Sequence, residues 1–364
     1  MPHAVRLLLV LALLALAGPS AGAKEAELGD KALARRIEQA LAKGRAALTR
    51  AQGRDGAWAY DGTAGRPLLP GAKRRALPHG SAGLTGLAMY ALAAAGGAPE
   101  ALKRGAAWAQ EHAALFGEAS PWATYATAFL VLAQSTRTVG GAEAERNAAD
   151  VARLVASQLP SGMWSYGPKA QGLEAQGDHS NTQVAVFALW TAVHETDAKV
   201  PKEVWRRARD HFAQTQLADG SWGYRPAAGK RATGRATKGT WVMTAAGLTS
   251  YFYAAAALRG GVKALPRLRK DKVVVKARAA LAALGRPDVA DPYQLWLAER
   301  VGTALALPLA DWYVDVARQL VKSQARGGTW PAKEPGGYGD RRAAYGTALR
   351  LLFLTRATRA VVTR

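Results

Sequence analysis

The stretch Gln216-Leu-Ala-Asp-Gly220-Ser-Trp222 decides the fold, because its pattern of Gln, three residues, Gly, one residue and Trp occurs four times. The other copies are Gln52-Gly-Arg-Asp-Gly56-Ala-Trp58, Gln158-Leu-Pro-Ser-Gly162-Met-Trp164 and Gln324-Ala-Arg-Gly-Gly328-Thr-Trp330. The four Gln stand 106, 58 and 108 residues apart, so two spacings are near twice the third. Fixed-period self-similarity is the signature of a repeat architecture. The span divides into five steps of about 54 residues, which makes six units. Degenerate copies are expected near residues 106 and 270.

Each unit has one plan. A helix with a single apolar stripe runs into the Gln. The first covers residues 31–50, with Leu33, Ile37, Leu41 and Leu48 at helical spacing. A Gly-bearing turn ends it. A loop follows, and then a second helix that is apolar nearly all round, as in Asn181-Thr-Gln-Val-Ala-Val-Phe-Ala-Leu-Trp190. Similar stretches begin at Gly83, Tyr125, Met243 and Tyr345, and residues 292–305 take that place in unit five. A helix with one apolar face is an outer helix, and one apolar on all faces is buried. Six outer and six inner helices in alternation predict an all-α fold, an (α/α)6 toroid with inner and outer rings. An open superhelix of helix pairs is the alternative. The Gln amide is expected to donate to the unpaired carbonyls at the end of its own outer helix and to accept from a neighbouring helix start. The Gly supplies a positive φ, and the Trp covers the joint. These twelve residues are read as structural.

The repeated phrase resembles the QW motif of terpene cyclases, the squalene- and hopene-forming enzymes. The chain beyond its N-terminus is similar to the α/α-toroid superfamily of terpene cyclases and protein prenyltransferases. Residues 178–183 and 293–313 resemble secreted, cyclase-like toroid proteins of unassigned function. The resemblance implies the fold and an elongated apolar ligand in a central cavity. The family's chemistry does not carry over. Cyclases that protonate an alkene use an Asp-x-Asp-Asp motif, and no adjacent Asp pair exists in this sequence. Protein prenyltransferases hold zinc through Asp, Cys and His, and the chain has no Cys.

Composition narrows the rest. The 364 residues carry 49 Lys+Arg against 27 Asp+Glu, a formal net charge of +22. The absence of Cys excludes disulfides, thiol catalysis and Cys-ligated zinc. Arg6, an apolar run over residues 7–17 and Ala21-Gly22-Ala23 read as a secretory signal over residues 1–23. A single toroid domain over residues 24–364 is then expected, secreted or periplasmic, with no transmembrane segment after cleavage. No cofactor or metal is expected: six His without i, i+4 pairing make no zinc site. The stretch 229–239 lacks the spacing of a phosphate loop.

In such a ring the outer-to-inner loops share one end with the inner-helix N-termini. Those loops are rich in Arg and Lys, which predicts an anion-attracting mouth. The ligand-binding candidates there are His79, Arg231, Arg235, Lys238, Trp241, Tyr293, Arg341 and Arg342. Asp178, His179, Asn181 and Tyr345 are the catalytic candidates, since a His beside a carboxylate can act as acid or base. The competing reading makes Asp178 or Ser180 a helix cap and leaves His179 solvated. Three functions follow as expectations. The first is an extracytoplasmic module binding an apolar chain or an anionic ligand in the central cavity or its basic mouth. The second is a lyase or hydrolase on an acidic glycan, with Arg341 and Asn181 neutralising a uronate and His179 or Tyr345 as base. The third is an isoprenoid enzyme with non-standard acids. Nucleic acid is not an expected partner. The sequence leaves both catalysis and oligomeric state open.

Overall fold

Asp30 starts the first helix by accepting a hydrogen bond from the Leu33 N–H at 2.9 Å, one of the four backbone donors a helix start leaves unpaired. The apolar stripe of Leu33, Ile37, Leu41 and Leu48 is buried along it. The computed structural model describes residues 30–60, 78–117, 120–137, 140–172, 174–196, 198–226, 237–330 and 343–356. These form 14 α-helices, two of which, Leu265–Leu268 and Leu309–Trp312, are single turns. The remaining twelve are α1 (Lys31–Ala51), α2 (Pro78–Ala94), α3 (Pro99–Glu111), α4 (Ala123–Thr136), α5 (Ala142–Ala156), α6 (His179–Glu195), α7 (Lys202–Thr215), α8 (Trp241–Leu258), α9 (Lys272–Ala283), α10 (Pro292–Ala304), α11 (Val314–Ser323) and α12 (Ala343–Thr355). No strand occurs among the described residues, and none of their helices is long and apolar enough to cross a membrane.

Odd-numbered helices bury one stripe and even-numbered helices are buried nearly all round. In α8 every residue from Met243 to Ala256 is buried, whereas α7 buries only Val204, Trp205, Ala208, His211 and Phe212. The even helices therefore form the interior. They pack in the order α2, α4, α6, α8, α10, α12, and α12 packs back on α2, so the cycle of contacts closes. Small residues permit the close approach: Gly86 in α2 lies against the α4 backbone at Ala126 and Leu130.

The repeated phrase joins neighbouring outer helices. Each Gln Nε2 donates twice. One bond goes to its own turn, at the carbonyl of Gly56, Gly162, Gly220 or Gly328. The other crosses to the next outer helix: Gln52 to Ala101 in α3, Gln158 to Val204 in α7, Gln216 to Val273 in α9. Gln324 donates to Ala40 in α1 at 2.9 Å and so ties the last outer helix to the first. The expectation that the Gln donates to its own helix end is thereby corrected, while the expected acceptance from a neighbouring helix is present at two copies, from Arg104 Nε to Gln52 Oε1 at 3.2 Å and from Arg207 Nε to Gln158 Oε1 at 3.0 Å. Donation to the helix end falls to the Trp. Each indole N–H donates to the carbonyl ten residues back, at Leu48, Leu154, Phe212 and Leu320. Each of these is the first unpaired carbonyl of its helix end. The indole can reach back because the turn reverses the chain, while the Gln amide extends sideways.

The Gly has a second reason beyond its positive φ of +97, +86, +86 and +89 at the four positions. A Cβ there would collide with a backbone carbonyl of the next outer helix, at Arg104, Arg207, Lys276 and Lys43. The turn itself is seated against its neighbour, and only a hydrogen fits between them.

Two joints lack the phrase. Residue 106, expected at a degenerate copy, lies inside α3, which ends five residues later. Buried Phe116 covers that joint, and its carbonyl accepts from Thr127 Oγ1. The expectation near residue 270 is also displaced. Lys270 precedes α9, because the connection after α8 contains helical turns at Gly261–Ala264 and Leu265–Leu268. Equal division of the span ignored that insertion.

Trp222→Ala should lower stability by about 3–5 kcal/mol, the range for removing a buried large aromatic. Gln324→Leu should cost about 1–3 kcal/mol, since it leaves the Ala40 and Gly328 carbonyls without their donor. Urea unfolding of both variants checks this, and an unchanged midpoint would refute the joint role.

Candidate functional site

Asp178 occupies the N-cap of α6, with extended backbone. Its carboxylate accepts from the Asn181 N–H at 2.7 Å, the Asn181 Nδ2 at 2.9 Å and the Tyr224 hydroxyl at 3.0 Å. All three donors hold it in place, and burial still pushes its carboxyl above the usual range. The cap reading of Asp178 is therefore the one the geometry supports. His179 departs from both expectations. It is 0% exposed, so it is not solvated. It also points away from Asp178. Its Nδ1 lies 2.7 Å from the Gly223 carbonyl, and its Nε2 lies 2.9 Å from His211 Nε2. A carbonyl only accepts, so His179 carries its proton on Nδ1. Its Nε2 is then the acceptor, and His211 donates from Nε2. Burial lowers His179 to about 3 and His211 to about 4. This is a neutral structural pair under the mouth, with no open side for a substrate.

The contacts of the inner-helix starts place α2, α4, α6 and α10 at one end. His79 in α2 meets Trp122 ahead of α4 edge-on, with ring centroids 6.3 Å apart. Tyr125 of α4, Ser180 of α6 and Tyr293 of α10 form a triangle of hydroxyls. The Tyr125–Ser180 edge is 2.6 Å, the Tyr125–Tyr293 edge 2.9 Å and the Ser180–Tyr293 edge 3.1 Å. All three residues are half-buried. Burial raises the phenols of Tyr125 and Tyr293 above the ordinary tyrosine value, so both are neutral hydrogen-bonding groups near neutral pH.

Below the triangle the hydrogen bonds continue inward. Gln183 Nε2 donates to the Tyr293 hydroxyl at 2.8 Å. Arg300 Nη2 donates to Gln183 Oε1 and, at 3.3 Å, to Thr249 Oγ1. Arg300 is 0% exposed. Its guanidinium lies between two aromatic faces, 4.6 Å from the Phe187 centroid and 4.5 Å from that of Trp296. Among the described residues no carboxylate lies within ion-pair distance of it. Its Nε and Nη1 have no hydrogen-bond partner. Buried cations are normally paired with an anion, so this arrangement is unusual.

The same level of the interior is filled. Phe187, Tyr253 and Trp296 pack ring to ring and are at most 1% exposed. A cavity large enough for a ligand would leave its lining accessible to water, and these side chains are not. The inner helices carry partly exposed residues mainly towards their ends, and the triangle lies at one of those ends.

The expected residues divide accordingly. Tyr293 joins the triangle, and His79, Trp241 and Tyr345 stand half-buried in the first turns of α2, α8 and α12. Lys238 is exposed just before α8. Asp178, His179 and Asn181 face inward structural contacts, which removes two of the four groups the lyase reading employs. Arg231, Arg235, Arg341 and Arg342 lie outside the described residues. Tyr125, Gln183 and Arg300 were not singled out, and Ser180 was named only as an alternative helix cap. Arg300 had a signal, a charge inside an inner helix. Comparison adds no identity: no protein-family model matches the chain, and no curated protein matches it.

The His pair predicts a pH dependence. Both histidines have folded values far below the unfolded value of about 6.5. The unfolded chain therefore takes up protons first as pH falls, and stability drops as pH goes from 6.5 towards 5. Each histidine should contribute up to about 1.4 kcal/mol per pH unit. Urea unfolding at steps between pH 7.5 and 5 measures the slope. A flat profile would contradict the neutral buried pair.

Proposed function

We propose that the chain is an extracytoplasmic ligand-binding protein with an (α/α)6 toroid architecture of the terpene cyclase and prenyltransferase type, holding its ligand in the mouth rather than at the ring centre. The closed cycle of inner helices and the four inter-helix staples support the toroid reading. The apolar run and A-x-A site at the N-terminus, outside the described residues, support export. The observation that carries the ligand assignment is the hydroxyl triangle of Tyr125, Ser180 and Tyr293 above a packed aromatic floor. Binding sites combine apolar walls with a few convergent polar groups. Here the rings of Trp241 and Tyr345 stand at other inner-helix starts of the same cycle, while the triangle offers the polar groups.

The packed floor weighs against an elongated isoprenoid threaded through the ring. The engagement of Asn181 and His179 weighs against uronate chemistry on those groups. No other described group near the triangle is a ready base, since its two phenols are held neutral. Binding without turnover is the reading most consistent with that set.

A thermal-shift screen of the mature chain against small aromatic, aliphatic and sugar acids with their neutral counterparts tests the site. A ligand of the mouth should raise the melting temperature of the parent by several degrees. Its effect should vanish in Trp241→Ala, whose side chain is half-buried at the rim and whose own melting point should change little. Ligands that act equally on parent and variant would place binding elsewhere.

A further inference from the structure

Arg300 raises a question of cost. A guanidinium with two unpaired nitrogens and no carboxylate in ion-pair contact is costly in the interior, even with the buried carboxylate of Glu299 close enough to act on its charge. The stacking of Arg300 on Phe187 and Trp296 recovers part of that cost. The remainder is retained next to the one polar path that leads out to the mouth.

That path has a direction. An arginine only donates, so Gln183 must present its oxygen to Arg300 and its nitrogen to Tyr293. The Tyr293 oxygen therefore accepts from Gln183, and its single proton is free for Tyr125 or Ser180. The order runs outward: Arg300, Gln183, Tyr293, then the Tyr125 and Ser180 hydroxyls. Chains of hydrogen bonds polarise one another in a low-dielectric interior, and this chain begins at a full positive charge. Of the Tyr125 and Ser180 hydroxyls, one spends its proton on the 2.6 Å edge between them, which leaves the other's proton for a ligand. The nearest carboxylate, Asp178, spends its oxygens on Asn181 and Tyr224.

We infer that the Tyr125–Ser180–Tyr293 triangle is a carboxylate-binding site, selective for an anionic head group because Gln183 relays the charge of buried Arg300 to hydroxyl donors at the mouth. The inference rests on the mouth reading above and names the ligand class it takes. A carboxylate suits the site because it is a strong acceptor for the hydroxyl proton that the triangle leaves over and brings negative charge towards Arg300. A cation or a ligand with only donors would have to reverse the whole chain. Arg300 acts here as a positioning residue, through Gln183, without touching the ligand.

Isothermal titration of the mature chain with benzoate and with benzamide, its neutral isostere, tests this at pH 7. Benzoate should bind at least tenfold more tightly. Tyr125→Phe combined with Ser180→Ala should weaken benzoate at least tenfold and leave benzamide within twofold. Arg300→Met should remove the preference. Tyr293→Phe, which breaks the relay and leaves the buried charge in place, should remove the preference independently of how Arg300→Met folds. Equal affinity for the two probes, no binding of benzoate, or a preference that survives in Tyr293→Phe would each overturn the carboxylate assignment. If neutral ligands bind and respond to Trp241→Ala while benzoate does not bind, the mouth reading stands and the carboxylate assignment alone falls.

Discussion

The molecule depends on one interaction made four times: a Gln amide at the end of an outer helix that donates to the backbone of the next. Each bond is worth only about 1 kcal/mol net. Its leverage comes from position. Helices that bury one stripe have no intrinsic order around a core, and the crossing amide sets which helix follows which. The Gly of the same phrase reinforces this by seating its turn so closely that no side chain fits between. The copy from Gln324 to Ala40 does for the ends of the chain what the others do within it.

Closure has a consequence for function. Six inner helices drawn into a cycle leave an axis that must be either empty or filled. Between α6, α8 and α10 the side chains of Phe187, Tyr253, Trp296 and Arg300 are buried and packed on one another. A family resemblance alone suggests an apolar chamber, and the side chains on the inner faces decide otherwise. Shared architecture does not transfer a cavity, because a cavity is made of absent volume on the inner faces rather than of helix topology.

The helix plan was legible because it depends on periodicity, which a sequence displays directly. The inner helix expected over residues 292–305 runs from Pro292 to Ala304, although Glu299 and Arg300 interrupt its apolar pattern. The phrase was legible as structural but its bonding was not. Which carbonyl a Gln amide reaches depends on how neighbouring helices stand side by side. His179 shows the same limit. Its neighbour in sequence is Asp178, yet its partners are Gly223 and His211, 44 and 32 residues away. The triangle joins residues separated by as many as 168 positions, and no local pattern marks such a meeting.

The staples are not evenly placed. They join α11, α1 and α3 in one group, and α5, α7 and α9 in another. The joints from α3 to α5 and from α9 to α11 have none. The cycle of helix contacts thus divides into two riveted arcs with two unstapled seams between them. Tyr125 belongs to the unit of α3, in the first arc, while Ser180 and Tyr293 belong to the second. A head group that draws the three hydroxyls together therefore clasps one arc to the other, and a mechanical strain that parts the seams would loosen the grip on it.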